Sequence, residues 1–492
     1  MMIHQLDRNV VRELVTAVVD LPRDGERHDA GGSAAADRPP ASDQVSAVAA
    51  GDDAAVSRLF ATASWSTIAE PGDGVAGAVI AALGADRALS MLLEGRPAKA
   101  WFELLENPRA VEPHDHDPGM SSEGRAGRSD AGMSDGGGND AGISEAVDSG
   151  HGERGGLDGS SPVTRTDLAA ALERWRPRLS SRLVVEALRG AKRCGARMLV
   201  PGDPGWPRGF ADLGDHAPLA LWVRGSVSAL DRRGGSIAVV GSRDATSYGE
   251  HVAMDLGAGL SDRGFTVVSG AAYGIDGMAH RASLASRGIT VAYLAGGVDR
   301  LYPAAHHDLL LRIAATGAVV SELPCGSAPT KWRFLQRNRL IAAASDATVV
   351  VEAGKRSGSL NTAGHAAALG RPIGAVPGPV TSVSSAGCHR LLRDYDAVCV
   401  TSAADVVELV LGSAAPLAAG STGRGTGADP VEGPARDPDA TRLLDALSRR
   451  TPRSVAELAR LSGMSGRTVA ATLGLLAVEN GVREEVAGWL RT

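Results

Sequence analysis

From about residue 197 the chain alternates short apolar runs with amphipathic stretches whose apolar positions recur every three or four residues. The runs predict strands at 236–241, 265–269, 290–295, 318–322, 347–352, 372–376 and 397–400, and the stretches between them predict helices at 247–263, 275–287, 305–315, 335–344, 359–369 and 386–394. Strands that alternate with helices pair in parallel through right-handed crossovers, which gives an open sheet covered on both faces. The expected class is therefore α/β, with an extended Rossmann-like parallel sheet as the core over 197–411. In such sheets ligands collect outside the carboxyl ends of the strands, where helix N-termini turn positive dipole ends towards anions.

Elsewhere the period is helical. Apolar spacing near 3.6 at 8–19, 75–94, 98–106, 166–174 and 180–195 predicts a small N-terminal helical domain over 1–196, expected to resemble a SAM or helix-hairpin-helix domain. The turn at 69–73 contains Gly72 and either grips duplex backbone or serves as simple scaffolding. Residues 438–492 read as helices at 440–448, 454–461 and 465–479 with a short extended end, the outline of a winged helix. Its third helix offers only Arg467 and Thr468 to a groove, which disfavours sequence-specific duplex reading and leaves a protein contact or weak duplex binding. Stretches 22–45, 107–165 and 412–437 read as flexible linkers.

Composition changes this picture in one respect. The 492-residue chain carries a net charge of −6 and is 43% hydrophobic, enough for two or three domains with a sizeable core. Much of the acidity lies in 111–160, where eleven carboxylates face three arginines in a Gly- and Ser-rich segment with too few apolar residues to fold, so disorder is expected there. His114, His116 and His151 within it have no fixed geometry for a metal. Residues 321–371 run the other way, with seven lysines and arginines against three carboxylates. No apolar run approaches the ~20 residues of a membrane span, and the N-terminus lacks the order of a signal peptide, so a cytoplasmic location is expected. Cys194, Cys325, Cys388 and Cys399 are scattered without metal or disulfide spacing and are expected as buried free thiols.

The chemistry is expected at the strand-end loops Gly241-Ser242-Arg243, Ser269-Gly270-Ala271, Ala295-Gly296-Gly297, Ser357-Gly358-Ser359 and Pro377-Gly378-Pro379. Glycine lets backbone amides approach phosphate, and Ser or Thr at a helix start adds donors or caps the helix. The first loop lacks the GxGxxG of a dinucleotide site and offers Arg243 instead, and no Walker-type GxxxxGK[ST] is present. Within the basic island, Lys331-Trp332-Arg333-Phe334-Leu335-Gln336-Arg337-Asn338-Arg339 sets cations beside rings. That combination suits single-stranded nucleic acid, since cations neutralise phosphates and a ring accepts a stacked base at about 1–3 kcal/mol. The same residues would also suit half-buried packing.

AVVGSR at 238–243, VSGAAYGIDGMAHRASL at 268–284, VAYLAGGVDRLYPAAH at 291–306, RFLQRNRLIAA at 333–343, VVVEAGKRSGSLNTAGHAAALGR at 349–371 and AVPGPV at 375–380 resemble the DNA-processing protein A (DprA/Smf) family in order and spacing. The resemblance implies a protein that binds and protects single-stranded DNA without sequence preference and helps load the RecA recombinase during natural transformation. It implies a homodimer through the Rossmann-like domain, no cofactor, no metal and no catalysed reaction. Carried over, it assigns DNA binding to Arg243, Lys331, Phe334, Arg337, Asn338 and Arg339, with Ser242, Ser269, Gly270, Ser357 and Gly358 lining the same pocket.

From side-chain chemistry, Arg243, Lys331 and Arg337 are expected to neutralise phosphates and Phe334 to stack on a base, while Asn338 either bonds a base edge or holds a loop. Arg339 is equally suited to pairing with Glu352 or Asp346. Asp276, His280, Asp299 and Glu322 are read as a helix cap and hydrogen-bonded structural groups ahead of an acid/base set. Where many relatives carry Leu-Ala-Arg before Gly-Ile-Asp, this chain has Ala271-Ala272-Tyr273, exchanging a cation for a ring. The alternative function is a nucleotide-binding or nucleotide-hydrolysing Rossmann-like enzyme, but the PGGxGTxxE motif of such hydrolases is absent.

Overall fold

The computed structural model describes residues 2–3, 6–19, 47–48, 50–106, 163–231, 234–413 and 437–492. The expected linker at 22–45, nearly all of the acidic stretch and most of 412–437 lie outside them. The chain begins with a two-strand hairpin, β1 (Met2–Ile3) and β2 (Leu6–Asp7), and the helix α1 (Arg8–Val19). Six helices follow: α2 (Asp53–Ile68), α3 (Gly74–Leu83), α4 (Ala85–Leu93), α5 (Ala98–Glu106), α6 (Arg165–Trp175) and α7 (Ser181–Cys194). The spacing did not predict α2, because it is buried nearly all round and so shows no one-sided apolar stripe. The single helix expected at 75–94 is two, bent by 109°. Gly84 between them has φ +83°, which only glycine adopts without strain. Trp175 meets Trp65 edge to face at 5.0 Å and Trp101 at 6.4 Å, and donates its Nε1–H to Asp73 at 3.0 Å, while Trp65 and Trp101 donate to the Ala85 and Arg96 carbonyls at 3.0 and 3.3 Å, so polar bonds orient a largely apolar cluster.

The sheet has nine strands in the order β11-β10-β9-β5-β6-β7-β8-β4-β3. Seven of them, β5 (Ser236–Val240), β6 (Thr266–Ser269), β7 (Thr290–Tyr293), β8 (Ala318–Ser321), β9 (Ala347–Val350), β10 (Ile373–Ala375) and β11 (Val398–Cys399), run parallel. The sequence reading did not anticipate β3 (Ala196–Leu199) and β4 (Leu221–Gly225), which extend the sheet antiparallel beyond β8. Side chains alternate across the sheet. Ile237 and Val239 join α8 (Ser247–Asp262), α9 (Ile275–Ala285) and α14 (Ala403–Ser413) in one core, while Ala238 and Val240 join α11 (Lys331–Ala343), α12 (Gly358–Ala368) and α13 (Ala386–Asp394) in another. Around α10 (His307–Thr316) a third core reaches past the sheet to α1, α2 and α7, so these N-terminal helices share the sheet's own interior.

The chain path decides where a ligand crevice opens. Strands β5 to β8 march away from β5 in one direction, and β9 then returns to the other side of β5. This reversal is the topological switch point, and the connections leaving β5 and β9 diverge there. Helix α11 lies beside the crevice and starts at Lys331, four residues before the expected start at 335, with the Thr330 hydroxyl accepting the Arg333 N–H at 3.3 Å.

At the C-terminus α15 (Pro438–Ala446), α16 (Val455–Ser462) and α17 (Gly466–Val478) with the hairpin β12 (Val482–Glu485) and β13 (Gly488–Arg491) form the winged helix around Leu443, Leu458, Val469 and Leu473. It rests on the start of α11. Asp445 accepts the Trp332 backbone N–H at 3.1 Å, and the Arg442 guanidinium lies 5.2 Å from the centre of the Trp332 ring. Cys325 and Cys388 are buried as expected, but Cys194 is half-buried and Cys399 exposed, because β11 is an edge strand. Among the described residues no group of three or more His, Cys, Asp or Glu could hold a metal, and no single helix is long and apolar enough to cross a membrane.

One buried carboxylate ties these parts together. Glu70, in the turn between α2 and α3, pairs with Arg178 at 2.7 Å and with Arg333 of α11 at 2.9 Å. Burial alone would raise its pKa, but Arg333 and Arg178 outweigh that and hold it at about 2. The turn is thus occupied in scaffolding. Removing the carboxylate leaves the arginines buried without their anion, so Glu70→Ala is expected to lower unfolding free energy by about 3–5 kcal/mol, read as a lower chemical-denaturation midpoint.

Acid acts in the same direction, as His280 and Glu70 illustrate. His280, held neutral by burial with a pKa of about 3 against its ordinary 6.5, binds a proton more readily once unfolded, so its contribution is lost as pH falls from 6.5 towards 3. Glu70 adds its loss between pH 4.5 and 2. The melting temperature should therefore begin to fall below about pH 6.5 and fall faster below about 4.5, and Glu70→Ala should weaken the second phase, to which Asp405 also contributes.

Candidate nucleic-acid interface

At the switch point an open cavity of about 850 Å³ is walled by the loop after β5, the first half of α11 and the start of α12. Arg243, Lys331, Phe334, Arg337, Asn338, Ser242, Ser357 and Gly358 all line it. Arg243 is exposed, and its guanidinium sits 5.1 Å from the centre of the Phe334 ring. Tyr302 presents a second ring 5.8 Å from that of Phe334 and is itself half exposed. Two cations, Lys331 and Arg356, complete the exposed wall. Ser357 caps α12, its hydroxyl accepting the Ser359 N–H at 3.4 Å, so the positive end of that helix faces the same space.

Beneath this surface lies a layer of braces. Arg337 is buried, donates from Nη1 to the carbonyls of Gly270, at 2.8 Å, and Tyr293, and from Nε to Asn338 at 3.3 Å. Burial lowers its pKa to about 10, with Asp276 opposing the shift and Arg243 adding to it, and at neutral pH it remains charged. Arg337 lines the cavity as a strut in its wall, set behind the exposed cations. Asn338 holds a loop, bonding the Gly358 carbonyl at 3.3 Å and Asn361 at 3.1 Å.

Three expectations are overturned. Ser269 and Gly270 do not line the cavity: the Ser269 hydroxyl donates to the Val239 carbonyl at 2.7 Å, and the Gly270 N–H donates to Asp276 at 3.1 Å. Gly270 is required for a different reason, since a Cβ there would fall on the Arg337 guanidinium. Arg339 is buried away from the cavity and donates from its single Nη2 to both oxygens of Glu322, at 2.7 Å each. The partner is neither Glu352, which accepts from Thr246 at 2.7 and 2.9 Å, nor Asp346, which accepts the Ser236 N–H at 2.7 Å. Trp332 points to the other side of α11, under Arg442.

The groups that invite an acid/base reading have structural duties. Asp276 accepts the N–H groups of Gly270 and Ala272 at 3.1 and 3.3 Å, and burial raises its pKa against the opposing charge of Arg337. His280 is fully buried against the Thr290 hydroxyl at 2.7 Å, and Asp299 accepts the Gly326 N–H at 2.9 Å. Tyr273 is exposed outside the cavity and meets His306 edge to face at 5.1 Å. Sequence reasoning missed Tyr302, whose signal was its place in the strand-end motif of 291–306, and Asp445, which enters the wall from the winged helix and left no local sign.

Residues 197–411 match the family described as DNA recombination-mediator protein A, and 427–484 match the DprA winged helix domain. A putative DNA processing protein DprA of Mycobacterium tuberculosis is 48% identical over 299 residues, 58% of this chain and 74% of its own. The DNA processing protein DprA of Bacillus subtilis is 36% identical over 205 residues, 42% of this chain and 67% of its own. Among solved structures, DNA processing protein A from Streptococcus pneumoniae is 31% identical and superposes with a TM-score of 0.44, covering 50% of this chain and 84% of that one.

Proposed function

The chain belongs to the DNA recombination-mediator protein A (DprA/Smf) family, and from that premise we propose that it binds single-stranded DNA without sequence preference in the cavity at the ends of β5 and β9, protects it, and helps load RecA recombinase during DNA uptake and recombination. The observation that carries this reading is the group of Arg243, Phe334 and Tyr302, a cation and two rings side by side on an open wall. Rings accept any base by its face, while Arg243, Lys331, Arg356 and the start of α12 meet the phosphates. Asn338, the amide best placed to read a base edge, already spends its donors on Gly358 and Asn361, which supports indifference to sequence.

Fluorescence anisotropy with labelled oligo-dT and a matched duplex, across a salt series, tests the site. Phe334→Ala is expected to weaken single-strand binding by about 1–3 kcal/mol, roughly 5- to 150-fold, and Arg243→Ala or Lys331→Ala to lower the salt slope by about 0.7 each. Unchanged affinity in all three variants would sink the assignment.

Two partners complete the proposal. Val380 and Val383, between β10 and α13, and Val398 on the edge strand β11 are exposed apolar side chains that support pairing with a second copy through the central domain. Val383→Asp is expected to shift a dimer towards monomer in sedimentation; an unaltered dimer would place the contact elsewhere. Delivery to RecA is expected to appear as faster filament assembly on oligo-dT coated with single-strand-binding protein, lost together with binding in Arg243→Ala.

A further inference from the structure

A second cleft, of about 920 Å³, lies where the helical, central and winged-helix parts meet. Seven arginines and four carboxylates line it. The inner cations share their counter-charge: Arg178 and Arg333 share Glu70, and Arg442, set between that carboxylate and Asp439 at 3.7 Å, keeps a buried Nε with no hydrogen-bond partner among the described residues. The indole Nε1–H of Trp332, on the same wall, is likewise buried and unpartnered among the described residues. Outside this layer Arg193, Arg300 and Arg460 are exposed and make no ion pair within the described part of the chain. Buried N–H donors without acceptors and a surplus of guanidinium are what an anionic ligand would satisfy.

The position of the cleft narrows the ligand. It shares Pro329, Thr330 and Asp445 with the first cavity, so the two spaces lie on either side of the start of α11. We propose that the cleft is a second phosphate-binding tract, taking the sugar-phosphate backbone of the same single strand as it passes Thr330 out of the first cavity. This rests on the single-strand reading of that cavity. The tract is suited to the backbone, because Arg193, Arg300 and Arg460 on its exposed rim are the groups that neutralise phosphate.

The test compares oligo-dT of about 6 nucleotides, enough for one cavity, with oligo-dT of about 24, enough for both, on the full chain. Arg300→Ala/Arg460→Ala, both rim positions outside the core, is expected to bind the short strand as wild type does. For the long strand it should lose roughly tenfold in affinity and about 1.4 in salt slope, two contacts at about 0.7 each. Arg287→Ala/Arg312→Ala, an equal charge change at exposed residues that line neither cavity, should change neither. A double variant that matches wild type on the long strand, loses equally on both strands, or loses only duplex binding overturns the tract. Wild type that binds neither strand overturns the first-cavity reading, and Arg243→Ala, expected to lose the short strand, keeps the two failures apart.

Discussion

Three guanidinium groups gathered round one buried carboxylate set the terms for the rest of this molecule. Glu70 stands close to Arg178, Arg333 and Arg442, which come from the helical part, from α11 and from the winged helix. Desolvating so much charge costs several kcal/mol per ion, and only close pairing offsets it, so the cluster tolerates little displacement of any contributor. The start of α11 is thereby held from three sides. Because Lys331 and Phe334 occupy that first turn, the spacing between this cation and this ring, proposed to meet phosphate and base, depends on a carboxylate outside the cavity.

Electrostatics near the cavity follow a layered plan. Exposed cations stand at the wall, while Arg337 and Arg339, though adjacent to them in sequence, are buried and committed to the Gly270 and Tyr293 carbonyls and to Glu322. A buried arginine with such partners orients backbone and contributes charge only at a distance. The braces keep Asp276 and the glycine loop from moving towards the phosphates that the wall is proposed to hold.

Much of the architecture was legible because parallel strands buried on both faces write themselves as apolar runs, and the strand-end loops mark the crevice. Arg243, Lys331, Phe334, Asn338, Ser242, Ser357 and Gly358 were expected together and line one cavity. What stayed hidden was relational. Helix α2 is buried nearly all round and left no periodic sign, and β3 and β4 join the sheet through pairing with β8 that local pattern does not encode. The inward turn of Ser269 and Gly270 depends on the Val239 carbonyl meeting the first and on Arg337 and Asp276 reaching the second from other elements. Arg339 chose Glu322 because the fold, and no sequence spacing, sets which carboxylate lies within reach.

Helix α11 spends almost every side chain of its first nine residues on a different neighbour: the cavity at Lys331 and Phe334, the winged helix at Trp332, the helical part at Arg333, the strand ends at Arg337, α12 at Asn338 and Glu322 at Arg339. Such a segment has little neutral ground. A lineage seeking a weaker or tighter grip on its ligand cannot readily tune these positions one by one, since most exchanges also disturb a junction between parts. Adaptation is channelled instead to isolated contributors such as Arg243, Tyr302 and Arg356, which stand on other loops and answer to fewer masters.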